Sequence, residues 1–278
     1  MARLAISELT TYRWSFEEDV ELYRALGISG IGVWRQKLTD VGEEKAAGLL
    51  AQSRLKVSSL QWAGGFTGSS GLSFDDSLVD ARQAIQSARQ IGAPCLIVHS
   101  GARGSHTHNH SRRLFQQALD KLLALAEEHG VTLALEPMKS DCGGEFTFFN
   151  CLDETLKLID EYPSPALALT LDTYYWGHEP ALLDRLECLA PKLALVQLGD
   201  SREPPRKEPN RCPLGEGRIP LRQIVQRLLA AGYDGYFEVE LWGEELESAD
   251  YREIVRSSVE AFDAWQVSPL SAVPIKAG

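Results

Sequence analysis

Val131-Thr132-Leu133-Ala134-Leu135-Glu136-Pro137-Met138 is an apolar, strand-like run that stops on a carboxylate with a proline directly behind it. Side chains alternate faces along a strand, so Glu136 shares a face with Ala134 and Thr132 while Leu133 and Leu135 point the other way. Glu136 therefore faces inward. A carboxylate in a poorly solvated place costs several kcal/mol unless a strong donor or a metal ion stands beside it.

The same grammar recurs three times downstream. The run 166–172 ends in Asp172, the run 193–197 ends in Gln197 with Asp200 close behind, and the run 236–240 ends in Glu240. Upstream, strand-like stretches begin at Arg3, Gly30, Lys56 and Cys95. Amphipathic stretches separate them, such as 16–26 behind Ser15 as N-cap and 75–91 closing on Gly92. Strand and helix thus alternate eight times with a repeat of about 35 residues, the pattern of an α/β fold closed into a (β/α)8 TIM barrel. One domain spans 1–265, and 266–278 reads as a Pro-containing tail without periodicity. A doubly wound open sheet is disfavoured because no G-x-G-x-x-G follows the first strand. The loop 64–71, Gly-Gly-Phe-Thr-Gly-Ser-Ser-Gly, is expected to be flexible.

A length of 278 residues suits one such barrel, and 44% hydrophobic with 24% charged residues is ordinary for a soluble globular protein. The formal charge of -11 works against nucleic acid and against an anionic membrane surface. Five cysteines without a C-x-x-C pair read as reduced thiols. The start Met-Ala-Arg-Leu-Ala-Ile-Ser-Glu lacks the apolar core of a signal peptide, so cytoplasm is expected. The expected partner is a small molecule, and a homo-oligomer is compatible with the sequence.

Leu135-Glu136-Pro137, Leu171-Asp172-Thr173-Tyr174, Val196-Gln197-Leu198-Gly199-Asp200, Asn210-Arg211, Leu214-Gly215-Glu216-Gly217 and the run from Gly232-Tyr233-Asp234-Gly235 to Glu240 follow one another in a specific order. In these the chain resembles the xylose isomerase-like TIM barrel superfamily of sugar isomerases and epimerases, over nearly its whole length. The resemblance implies one divalent metal held by Glu, Asp, His and Glu, positions that fall here on Glu136, Asp172, Gln197 and Glu240. It also implies that Arg211 reaches substrate hydroxyls. Two departures matter. Gln197 replaces the usual His, as in the metal-dependent 3-dehydroshikimate dehydratases that this chain resembles there. Tyr175 stands where the family often has a His three residues after the Asp, and His178 is the nearest candidate for that role.

An amide oxygen beside three carboxylates makes an all-oxygen site, which favours Mn2+ or Mg2+, although Zn2+ can intrude. A metal chelating a carbonyl and a neighbouring hydroxyl acidifies the C–H between them, and Glu136 and Glu240 are the acid/base pair expected to move that proton. The expected activity is isomerisation or epimerisation of a small unphosphorylated keto sugar or related polyol, since no phosphate cradle is apparent. Loss of a β-hydroxyl from a cyclic keto-polyol, dehydroshikimate-like or inosose-like, is the alternative. An endonuclease IV-like repair enzyme on the same barrel is the remote one, against which the acidic charge counts.

Trp14, Trp62 and Trp176, together with Trp34 and Trp242, fall at or beyond strand ends, where flat apolar faces suit sugar C–H groups. His99 ends the fourth strand and is expected to look into the pocket, and Lys139 is a candidate electrophile for a developing enolate. His106, His108 and His110 alternate in one loop and read as a polar loop or helix cap in preference to a second metal site. Glu238 shares the parity of Glu240 and is expected one layer deeper, paired with a buried donor.

Overall fold

The computed structural model describes residues 2–267. Eight parallel strands close into a barrel: β1 Arg3–Ser7, β2 Gly30–Trp34, β3 Lys56–Gly64, β4 Cys95–His99, β5 Thr132–Leu135, β6 Leu167–Asp172, β7 Leu193–Leu198 and β8 Tyr236–Val239. Each strand pairs with its neighbours in sequence, and β8 closes on β1 through Arg3↔Tyr236, Leu4↔Phe237, Ala5↔Glu238 and Ile6↔Val239.

Helices start and stop where local chemistry dictates. Ser15 caps Phe16–Ala25 in a capping box with Glu18, and Ser73 caps Phe74–Ile91 in another with Asp76. Gly130 ends His108–His129 at φ +66, a left-handed conformation that favours glycine. The outward strand residues Leu133, Leu135, Leu96 and Val98 join the large core between barrel and helices. The inward residues Cys95, Ile97, Ala134 and Leu195 form a separate small cluster inside the barrel. That division is the strand alternation made three-dimensional, and it puts Glu136 and Gln197 on the inner side.

The structure departs from the sequence reading in four places. A short helix, Arg35–Val41, follows β2. The polar loop after β7 contains a two-stranded antiparallel ribbon pairing Asp200 with Cys212 and Ser201 with Arg211. The segment after β3, expected to be flexible, is anchored instead: Phe66 is buried 5.7 Å from the Phe115 ring, and Thr67 Oγ1 donates to the Ala102 carbonyl at 2.6 Å. The expected tail starts inside the last helix, Tyr251–Val267, and its remainder, 268–278, lies outside the described residues.

Candidate active site

Glu136, Asp172, Gln197 and Glu240 meet at the C-terminal mouth of the barrel, all between 0% and 5% exposed. Asp172 and Gln197 are paired in register on β6 and β7, while Glu136 and Glu240 stand just past the ends of β5 and β8. Among them lies the guanidinium of Arg211, wholly buried. Its Nη2 donates to Asp172 Oδ2 at 2.8 Å and to Glu240 Oε1 at 3.4 Å, and its Nη1 donates to the Glu240 carbonyl at 2.9 Å. The guanidinium also lies over Tyr174, 4.2 Å from the ring centroid.

The ribbon delivers this arginine. Asp200 holds the return segment by accepting backbone N–H bonds from Gly215 at 2.9 Å and Gly217 at 3.1 Å. Gly217 has to be glycine, since a Cβ there would stand 1.9 Å from Asp200 Oδ1. Asp200 therefore organises the loop and does not join the oxygen donors of the site.

The electrostatics are unbalanced. Three carboxylates face one guanidinium, and a neutral histidine adds no charge. His99 Nε2 lies 2.7 Å from Glu136 Oε2, but burial pushes the imidazole pKa down to about 3. Burial, followed by the charge of Asp172, drives the Glu136 carboxyl well above its ordinary range, and Arg211 offsets this only in part. Glu240 is pushed up to about 8 by burial and by Asp172 and Glu136, against the pull of Arg211. Burial also works against the charge on Arg211, but Asp172 and Glu240 outweigh it and hold the guanidinium protonated. Gln197 Nε2 donates to Glu240 Oε2, and its Oε1 is buried without a partner.

These features bear on a cation in two ways. The donor set fits one by chemistry: three carboxyl groups, which once ionised exceed the charge of Arg211 by two, and an orphaned carbonyl oxygen are what a hard divalent ion satisfies. The arrangement is not closed around one, because Arg211 spans Asp172 and Glu240. Among the described residues no three His, Cys, Asp or Glu side chains are grouped to hold a metal.

Above the carboxylates opens a cavity of about 190 Å³ lined by Leu9, Gln61, Trp62, Ile97, His99, Glu136, Met138, Phe146, Tyr175, Glu240 and Trp242. Of the expected substrate contacts, His99 and Trp62 line it, and Arg211 lies beside it through Glu240. Trp14, Trp176, Lys139 and His178 do not. Trp14 packs edge-on against Tyr251 at 5.5 Å under Arg252. Trp176 donates its indole N–H to the Pro137 carbonyl at 2.9 Å, and Lys139 covers its face while pairing with Glu179. His178 Nε2 sits 2.9 Å from Ser201 Oγ on the ribbon. A strand end fixes the height of the residues beyond it but not their direction, which the following turn sets.

His106, His108 and His110 belong to a helix start. Thr107 is its N-cap, His106 contacts the Thr67 carbonyl at 3.1 Å, and His108 pairs with Glu154 at 3.0 Å. Gln61, Phe146 and Tyr175 were missed as lining residues. Tyr175 had a signal, since it holds the position three residues after Asp172. Gln61 sits within β3, which runs on to Gly64. Phe146 comes from a turn with no pattern to flag it.

Comparisons with known proteins agree with this fold. The chain is 24% identical over 170 residues to L-ribulose-5-phosphate 3-epimerase UlaE of Escherichia coli O1:K1 / APEC, covering 60% of this chain and 56% of that protein. The chain thus spans a little over half the length of the curated relatives it matches. The crystal structure of protein SMc04130 from Sinorhizobium meliloti 1021 superposes with a TM-score of 0.85 at 25% identity, over 94% of this chain and 97% of that one. The IOLI protein with a binding zinc atom superposes with a TM-score of 0.81 at 17% identity, over 95% and 97%. The family model described as xylose isomerase-like TIM barrel matches residues 20–265, and the chain belongs to that family.

Proposed function

We propose that the chain is a divalent-metal-dependent isomerase or epimerase of a small unphosphorylated keto sugar or related polyol, with Mn2+ or Mg2+ as the favoured ion. The observation that carries this reading is the oxygen-rich donor set: three buried carboxyl groups against one guanidinium, beneath a cavity whose wall holds no lysine or arginine among the described residues. Glu136, Asp172, Glu240 and Oε1 of Gln197 are the donors that would hold the ion, in competition with Arg211. When bound, such an ion polarises a carbonyl and acidifies the adjacent C–H. The epimerase relative supports the reaction class, while its own named substrate carries a 5-phosphate.

The chain's own residues supply the remainder. Glu136 and Glu240 stand three strands apart around the barrel and both line the cavity, so one can take a proton from a substrate carbon and the other return one. Arg211 holds Glu240 by its carbonyl and its carboxylate, which fixes the direction of that base. Trp62 and Trp242 offer aromatic surface to sugar C–H groups, and the absence of a cation in the lining favours an unphosphorylated substrate. A second reading, elimination of a β-hydroxyl from a cyclic keto-polyol, is favoured by Gln197, the residue the metal-dependent dehydratases share.

Protein loaded with Mn2+ and incubated in D2O with a panel of unphosphorylated keto sugars and cyclic polyol ketones separates these readings. Deuterium at the carbon beside the carbonyl, with epimer or isomer formed, supports the first. A new enone absorbance supports the second. Neither signal across the panel, with Mn2+, Mg2+ or Zn2+, rejects both.

A further inference from the structure

One layer beneath the carboxylates of the mouth lies a further carboxylate, Glu238, fully buried. Register makes it the neighbour of Gln197 on β7 and of Ala5 on β1. Small residues let it lean across two strands. On β2, Gly32, the register partner of Ser7, leaves it room: a Cβ there would stand 2.5 Å from the Glu238 carboxyl carbon.

On the far side Glu238 Oε2 accepts from Ser58 Oγ at 2.6 Å and Ser59 Oγ at 2.7 Å, and Oε1 accepts from Gln61 Nε2 at 2.6 Å. Gln197, its register neighbour on β7, eases its charge from the other side. A carboxylate offers about four acceptor positions, and three of them here meet neutral donors.

The consequence falls on the two amides. Gln61 Nε2 also reaches Ser7 Oγ at 3.1 Å, and Gln197 Nε2 also donates to Glu240 Oε2. An amide nitrogen has two hydrogens: both are committed in Gln61, and one is committed in Gln197. Each glutamine keeps its carbonyl oxygen. Gln197 Oε1 is the buried oxygen without a partner, and Gln61 lines the cavity with no protein donor on its Oε1 among the described residues.

We propose that Glu238 is a positioning residue that locks both amides nitrogen-inward, so that Gln197 offers an oxygen to a divalent cation and Gln61 an acceptor to a substrate hydroxyl. The cation half rests on the function proposed above. An amide is nearly symmetric in shape and opposite in polarity at its two ends. A flipped Gln197 would therefore turn N–H groups toward the cation, and a flipped Gln61 would turn a donor toward the substrate. Glu240 occupies one N–H of Gln197, and Glu238, its register neighbour, is the carboxylate the proposal assigns to the other.

The locking can be read without metal. In metal-free, 15N-labelled protein, the side-chain NH2 signals of Gln61 and Gln197 are identified by their loss in Gln61→Glu and Gln197→Glu. They should exchange with water at least about tenfold faster in Glu238→Gln, since the charged acceptor is replaced by an amide with one acceptor oxygen fewer. Unchanged exchange overturns the proposal. Mn2+ titration followed by electron paramagnetic resonance should show binding about 10- to 100-fold weaker in Glu238→Gln, the usual cost of losing a partner of a ligand.

The decisive comparison uses Gln197→Glu, whose two oxygens make orientation irrelevant. In that background the penalty of Glu238→Gln should shrink to less than about threefold. An undiminished penalty would mean that Glu238 acts through shape alone, and the proposal fails. Gly32→Ala, which displaces the carboxyl without removing it, should weaken Mn2+ binding in the same direction and guards against misfolding of the charge variant. A wild type that binds no Mn2+ rejects the metal reading and the cation half of this inference, while the exchange measurement still decides the locking.

Discussion

Arg211 Nη2 stands 2.8 Å from Asp172 Oδ2, with the two side chains 1% and 0% exposed, so neither charge has water to fall back on. Removing one member of such a pair leaves the other uncompensated. In metal-free protein, Arg211→Met should lower stability by roughly 3–5 kcal/mol in urea unfolding. Arg211→Lys should recover only part of this, because an ammonium cannot reproduce the fork that spans Asp172 and Glu240. Saturating Mn2+ should narrow the gap. Wild-type stability in metal-free Arg211→Met would show that the pair contributes nothing net.

The raised carboxyl pKa values give the metal-free protein a definite pH dependence. Glu240 moves from 4.5 to about 8, and Glu136 moves in the same direction. Between those values the folded chain binds more protons than the unfolded chain, so stability is fullest below about 4.5 and is lost as pH rises through about 8. Melting of chelated protein should therefore fall from pH 5.5 to 8.5, and Glu240→Gln should flatten the slope. Bound Mn2+, which replaces the protons, should reduce or reverse it. A chelated protein with a flat profile would contradict the buried-carboxyl account.

Glu136→Gln and Glu240→Gln each keep an oxygen donor while removing a base. Each should lose turnover by about 10² or more, and at least one should lose solvent deuterium exchange to the same extent. The check is single-turnover kinetics in D2O alongside Mn2+ affinity. Full exchange in both variants would assign the proton transfer to another group.

Gln197→His trades a hard oxygen for an imidazole nitrogen. Relative affinity should shift toward Zn2+ over Mn2+ by about tenfold or more, measured by competition titration. An unchanged ratio would mean that Gln197 does not contact the ion.

The strands and the four oxygen-bearing ends were legible because alternation along a strand is a local property. Ala134 inside the barrel and Leu133 and Leu135 outside it follow from parity alone, and Glu136 follows from Ala134. Parity also placed Glu238 beneath Glu240. The rim tryptophans show where that logic stops. Trp14 and Trp62 both lie near strand ends, yet Trp14 packs on Tyr251 while Trp62 lines the cavity, because only Trp62 is still part of a strand.

Long-range contacts decided the rest. Arg211 reached the carboxylates through a ribbon whose polar sequence resembled an unstructured loop, and the ribbon forms because Asp200 binds backbone N–H groups from several later residues. The Glu238 network joins residues 180 positions apart, Ser58 and Glu238, across a gap that Gly32 leaves open by having no side chain. Local sequence sets which face a side chain takes. Only closure of the barrel sets what it meets there, since the partner comes from a different strand and the space from a third.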